Sequence, residues 1–198
     1  MNLSELQSAV YDLTGRPDLE ARTRVAIQAA TLKVHHMDFF SRDLVEDPID
    51  LGVTAFVHNF DYKSVYPRWR AIKYLRYLDT TISPPAPGDF FKVLEPEQLL
   101  DSYGATKTDV CYLAGIYIQI NAKAELRYCL MGSYLHPNIE ESSYSSWIAD
   151  EHPFAIAYEA ARTICKLVGL DQQYTRMKDQ VEEEFTAVRI TGLSPRGY

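Results

Sequence analysis

A change of hydrophobic period past the middle of this 198-residue chain constrains its fold more than any other feature. From Asp109 to Tyr134 the sequence is tyrosine-rich and alternates residue by residue, the period of a half-buried strand. His136-Pro137 and Ser146-Trp147-Ile148-Ala149 follow. Two stretches then repeat their apolar positions at three and four, the period of a helix. A segment written in one period cannot bury its apolar face in the other, so a sheet module is stitched to a helical one.

The helical pattern also opens the chain. Leu3, Leu6, Val10 and Leu13 share one helical face until Thr14-Gly15-Arg16-Pro17 interrupts it. Pro17 suits the first turn of a second helix, where no N–H is needed, and Asp18 and Glu20 complement the positive end of its dipole. From Leu19 to about Phe40, Val25, Ala26, Ala29, Ala30 and Leu32 make a narrow packing face, so the two elements form a hairpin. Asp47-Pro48 closes this region. Val53 to Phe60 and Ile72 to Leu78 read as strands. Ser83-Pro84-Pro85-Ala86-Pro87-Gly88 reads as a loop, and Glu95 to Leu100 as one or two helical turns. Val110 to Ile120, turning at Ala114-Gly115, reads as a hairpin, and Glu125 to Tyr134 as a further strand completing a meander.

Ser145 or Ser146 caps a short helix and Asp150 the next one, with Pro153 in its first turn. Its face runs through Phe154, Tyr158, Ala161, Ile164, Cys165 and Val168 to Gly169. The last helix sets Tyr174, Met177, Val181, Phe185 and Val188 opposite Asp179, Glu182, Glu183 and Glu184. The expected fold is therefore α+β. Residues 1–46 and 138–190 form a helical bundle, with an N-terminal hairpin and two long C-terminal helices. Residues 47–137 are an antiparallel β-rich insertion, and 191–198 a flexible tail.

Hydrophobic content of 46% with 24% charged residues is that of a chain that folds, as one domain or two small lobes burying about 70% of the unfolded surface. A net charge of −7 argues against nucleic-acid binding through a basic surface, yet suits a channel through which DNA slides. The first residues lack a basic and an apolar signal region, and no apolar run is long enough to span a bilayer, which argues against export and membrane insertion. Cys111, Cys129 and Cys165 form no CxxC pair and read as reduced packing residues.

Candidate chemistry reads as structure. Ser142, Asp150 and His152 supply the residue types of a hydrolytic triad, but no GxSxG elbow exposes a serine, and residues at a helix start explain them better. His35, His36 and Asp38 do not converge on a metal, because adjacent helical residues point about 100° apart. Glu182-Glu183-Glu184 covers too wide an arc for a ligand set and reads as a solvated face. Tyr77, Tyr112, Tyr117, Tyr128 and Tyr134 lack the basic stripe that base stacking needs and are assigned to the sheet and to subunit contacts. Neither nucleotide-binding glycine motif occurs. No enzyme, cofactor or metal is expected.

Three segments carry a family likeness. They are Leu13-Thr14-Gly15-Arg16-Pro17-Asp18-Leu19 running through Ala26-Ile27-Gln28-Ala29-Ala30; the strands Tyr112 to Ile118 and Leu126-Arg127-Tyr128 with Tyr134 to Pro137; and Ser146-Trp147-Ile148-Ala149-Asp150-Glu151-His152-Pro153 entering the helix 155–167. In this order they resemble the head-to-tail adaptor, or connector, proteins of tailed bacteriophages. The resemblance implies a structural protein of the virion neck, made in the host cytoplasm and not an enzyme. It implies a homo-oligomeric, twelve-fold ring beneath the portal protein that extends the DNA channel, without specific DNA binding, and offers a platform to tail or tail-nozzle proteins. It also implies a C-terminal segment reaching into the portal, here Val188, Arg189, Ile190, Thr191, Leu193, Arg196 and Tyr198, expected to order only on docking. The competing expectations are another neck or tail-completion protein, and a soluble α+β binding module.

Overall fold

The computed structural model describes residues 1–100 and 104–193. It is an α+β fold, with six helices and a mixed six-stranded sheet among the described residues. The chain divides into two compact units. One joins Met1–Asp43 to the chain from His136 onward, and the other is Leu44–Leu135. The switches fall at 44 and 135, where sequence reading set them at 47 and 137. Asp47-Pro48 does not end the first region, because Pro48 lies inside a strand that pairs along one side only, where a missing N–H does no harm.

The helical unit begins with α1 (Leu3–Thr14), whose Asn2 and Glu5 form a capping box and whose Gly15 closes the helix in the left-handed region at φ 65°. A 3-10 turn at Pro17–Leu19 leads into α2 (Glu20–His36). The buried face of α2 is Thr23, Ala26, Ile27, Ala30, Thr31, Val34 and His35. Val25 and Ala29, assigned inward from sequence, point to solvent. After the sheet, Ser146 caps α4 (Trp147–Glu151) by accepting from the Ala149 N–H. α5 (Pro153–Val168) follows with His152, not Asp150, at its N-cap. α5 is the central helix, packed by α1, α2 and α6 (Asp171–Leu193). Ala155, Ala157, Ala160 and Ala161 are buried on it and let neighbouring helices approach closely. Phe154, expected inside, is 47% exposed. The apolar stripe of α6 is as read, with Val181 and Val188 buried and Met177 and Phe185 packed against the core.

The C-terminal segment departs most from expectation. α6 runs through Thr191 to Leu193, so residues 191–193 are helical rather than a tail. Gly192 is the reason this turn docks. A Cβ there would lie 2.5 Å from Phe40 Cδ1 and 2.9 Å from the Trp147 ring, so only glycine allows the backbone to settle on those aromatics. Val188 is fully buried and belongs to the core of the helical unit. Arg196 and Tyr198 lie outside the described residues.

In the sheet unit, β6 (Tyr117–Leu135) is the spine. β1 (Leu44–Asp61) pairs antiparallel along nearly its whole length, while β2 (Trp69–Asp79) pairs with its 129–135 end and β5 (Val110–Ala114) with its 117–121 end. The expected hairpin and separate strand are thus one continuous element. Gly115, at φ 65°, makes the β5–β6 turn. A one-turn helix, α3 (Tyr62–Val65), joins β1 to β2. β3 (Ala86–Phe90) adds to β2 as an edge strand, which accommodates the Pro87 that had read as loop. β4 (Lys92–Val93) pairs parallel with β5, so the module is mixed rather than antiparallel. The segment between β4 and β5 is long enough for the crossover a parallel pair requires. The expected helix near Glu95 is a 3-10 turn at Pro96–Gln98.

Candidate functional site

The paper triad of Ser142, Asp150 and His152 does not assemble. Asp150 is exposed and accepts from the Met1 ammonium at 3.1 Å. No hydrogen bond joins the three among the described residues. The structure instead lines up other residues of the same types. His35, on the inner face of α2, sets Nδ1 at 2.9 and 3.0 Å from the two carboxylate oxygens of Asp43, and Nε2 at 2.9 Å from Ser146 Oγ. Trp147 Nε1 donates to Asp43 Oδ1 at 2.9 Å. An ionised carboxylate can only accept, so Nδ1 carries a proton, and in a neutral imidazole Nε2 then accepts from the Ser146 hydroxyl.

This is the connectivity of a Ser-His-Asp hydrolase, but its surroundings are those of a core. His35 is 1% and Ser146 3% exposed. Ser146 Oγ is also the cap of α4, taking the Ala149 N–H at 3.2 Å. A nucleophile must be reached by its substrate, and this one faces packed side chains. The chain works as a clamp, tying the 3-10 turn at Ser41–Asp43 to α2 and α4 through groups that burial would otherwise leave unpaired. Sequence reasoning missed it because Ser146 lies 111 residues from His35. The one local signal was a histidine on the apolar face of α2.

The remaining candidates disperse. His36 Nε2 lies 3.2 Å from His136 Nδ1 on the surface, away from the inward-facing His35, and no cluster of three metal-ligating side chains occurs among the described residues. Cys111, Cys129 and Cys165 are buried free thiols. Burial pushes the thiols of Cys111 and Cys129 up to about 12. The tyrosines divide by environment. Tyr134 is buried and Tyr117 exposed, Tyr112 bonds Gln119, and Tyr128 lies beneath the Arg127 guanidinium. Tyr77 stacks on Phe91 with ring centroids 4.4 Å apart. Its hydroxyl donates to Asp109 Oδ1 at 2.6 Å and accepts from the Lys123 N–H at 3.1 Å. These bonds close the seam where β2 and β5 meet along β6. Burial, then the bond to Asp109, raises the Tyr77 hydroxyl to about 12.

Surface chemistry is concentrated in apolar patches. On the helical unit, Ala21, Arg22, Val25, Ala26 and Ala29 of α2 face Thr163, Ile164 and Leu167 of α5 across a groove of about 440 Å³. Val25 is 64% and Leu167 56% exposed. On the sheet unit, Val53, Phe56 and Val57 stand out where β1 bulges away from β6. Of the C-terminal set, Arg189, Ile190 and Leu193 face outward. The Thr191 hydroxyl donates back to the Ala187 carbonyl at 3.0 Å. Glu182 and Glu183 are exposed.

No family model matches the chain, and no curated protein matches it. Among the described residues, no helix is long and apolar enough to cross a membrane.

Proposed function

We propose that this chain is a structural component of a phage neck: a head-to-tail adaptor that assembles as a ring beneath the portal, extends the DNA channel and receives the tail. The observation that carries the reading is where the chain places its chemistry. Among the described residues, the side chains with catalytic connectivity are sealed in the core, while both units turn large apolar side chains to solvent. Exposed apolar patches of this kind mark contact with other macromolecules. A helical unit built from both ends of the chain, with a sheet inserted between them, agrees with the three segments on which the family likeness rests. A net charge of −7 keeps passing DNA from adhering.

Val188 and Thr191 drop out of the docking set, because burial and an internal hydrogen bond occupy them. Ile190 and Leu193 stay exposed and are assigned to contact between copies, so portal docking falls to Arg189 and the residues after α6, with Arg196 and Tyr198 among them. The test is co-purification of the full chain with portal protein, followed by electron microscopy of the complex. A ring on the portal that loses its attachment, but not its fold, on deletion of 194–198 supports the assignment. A chain that binds tail proteins and ignores portal identifies a tail-completion protein instead.

A further inference from the structure

Two unpartnered faces of the helical unit complement one another. The α2–α5 groove has a floor of small side chains, Ala26 and Ala29, with Val25 and Leu167 as apolar walls. Arg22 lines it and Lys166 stands beside Leu167, both exposed. Neither forms an ion pair among the described residues. At 100° per residue, Asp179, Glu182, Glu183, Thr186, Ile190 and Leu193 fall on one 100° arc of α6, opposite its buried Val181 and Val188. Ile190 is 59% and Leu193 48% exposed. The three carboxylates precede them on the same arc, and no ion pair reaches these among the described residues. The docking of Gly192 on Phe40 and Trp147 holds the apolar pair outward.

We propose that the α2–α5 groove receives the outer face of α6 from a second copy of this chain. An amphipathic helix enters such a groove through apolar anchors spaced three or four residues apart, which is the spacing of Ile190 and Leu193. Charge complements shape, since Arg22 lines the groove, the exposed Lys166 precedes its wall residue Leu167 on α5, and the helix face carries carboxylates. Length agrees as well, because 21–29 of α2 spans about 12 Å and 183–193 of α6 about 15 Å. The two faces are unlike, so the contact is head-to-tail and passes from copy to copy, closing into a ring where the rotation permits. This supplies the contact for the ring proposed above and rests on that reading for its biological setting alone.

The test measures the mass of the full chain by sedimentation velocity and multi-angle light scattering. Val25→Glu with Leu167→Glu blocks the groove, and Ile190→Glu with Leu193→Glu blocks the helix. All four residues are exposed, and circular dichroism checks that the fold survives. Each pair should weaken self-association by about tenfold or more. An equimolar mixture should form a 1:1 complex and nothing larger, because each variant keeps one working half. Arg22→Glu with Lys166→Glu should also dissociate the assembly, and adding Glu182→Lys and Glu183→Lys to the same chain should restore it. A monomeric wild-type chain, blocked variants that assemble normally, or a mixture that stays monomeric overturns the proposal. Blocked variants that still form rings on portal remove this contact and leave the adaptor reading standing. A wild-type assembly sensitive to these substitutions but indifferent to portal does the reverse.

Discussion

Replacing Asp43 by alanine should destabilise the helical unit by about 3 kcal/mol. The carboxylate holds two donors, His35 Nδ1 and Trp147 Nε1, and alanine accepts from neither. The imidazole is 1% exposed. It can move its proton to Nε2 and donate to Ser146, but a bare nitrogen is then left in the core, at about 1–3 kcal/mol. Trp147 is half-buried, so water replaces part of its lost bond, and about 1 kcal/mol is assigned to it. For a chain of this size the sum corresponds to a melting temperature lower by about 6–12 °C. Ser146→Ala removes the cap of α4, worth about 1 kcal/mol, and the donor to His35. Because both variants act through one imidazole, their effects should couple by about 1 kcal/mol. Urea unfolding followed by Trp147 fluorescence in a Trp69→Phe background reads the helical unit alone. A loss under about 1 kcal/mol for Asp43→Ala, or strictly additive single variants, would refute the clamp.

Burial also keeps Ser146 from reacting, so a fluorophosphonate probe should leave it unlabelled in the folded chain, and unfolding should not unmask it, because the serine then loses the His35 base. Gly192→Ala should cost about 1 kcal/mol by differential scanning calorimetry, the difference between overpacking against Phe40 and Trp147, at about 2 kcal/mol, and the roughly 1 kcal/mol that alanine adds to a helix. Burial holds the Cys111 and Cys129 thiols near 12. An unfolded thiol ionises near 8.5, so the unfolded sheet unit loses protons first. The stability from these thiols is complete below about pH 8.5 and falls as pH rises toward 12. Ellman's reagent at pH 8 should find both cysteines silent until denaturant is added. Asp109 feels burial, which raises its carboxyl, but bonds from Tyr77 and Lys123 outweigh it and hold the carboxyl below its ordinary value. Tyr77→Phe should therefore move the Asp109 titration upward by NMR. Its contribution to stability should then fade at a higher pH during acidification, because a carboxyl depressed in the fold stabilises only while it stays ionised.

Local chemistry was legible wherever the decision is local. Gly15, Pro17, Ser146 and Gly169 mark helix ends through their own backbone preferences and nearest partners, and Ile118 and Ile120 announce a strand by alternation. The α+β class and the order of elements follow from such signals. The facing of α2 did not, because Val25 and Ala29 suit burial as well as Ala26 and Ala30, and only the position of α5 decides between them. β6 reads as two pieces because its exposed middle, Lys123 to Glu125, breaks the alternation, and from Cys129 to Tyr134 both faces are buried, so no period of two survives there.

What this chain determined by itself is periodicity, caps and turns, all of which depend on neighbours within a few residues. Tertiary structure alone decided that His35, Asp43 and Ser146 meet, that Gly192 lets α6 continue onto Phe40 and Trp147, and that Ile190 and Leu193 are left facing out. Those outcomes depend on contacts between residues far apart in sequence, and one-dimensional spacing carries no record of which distant surfaces will close on each other.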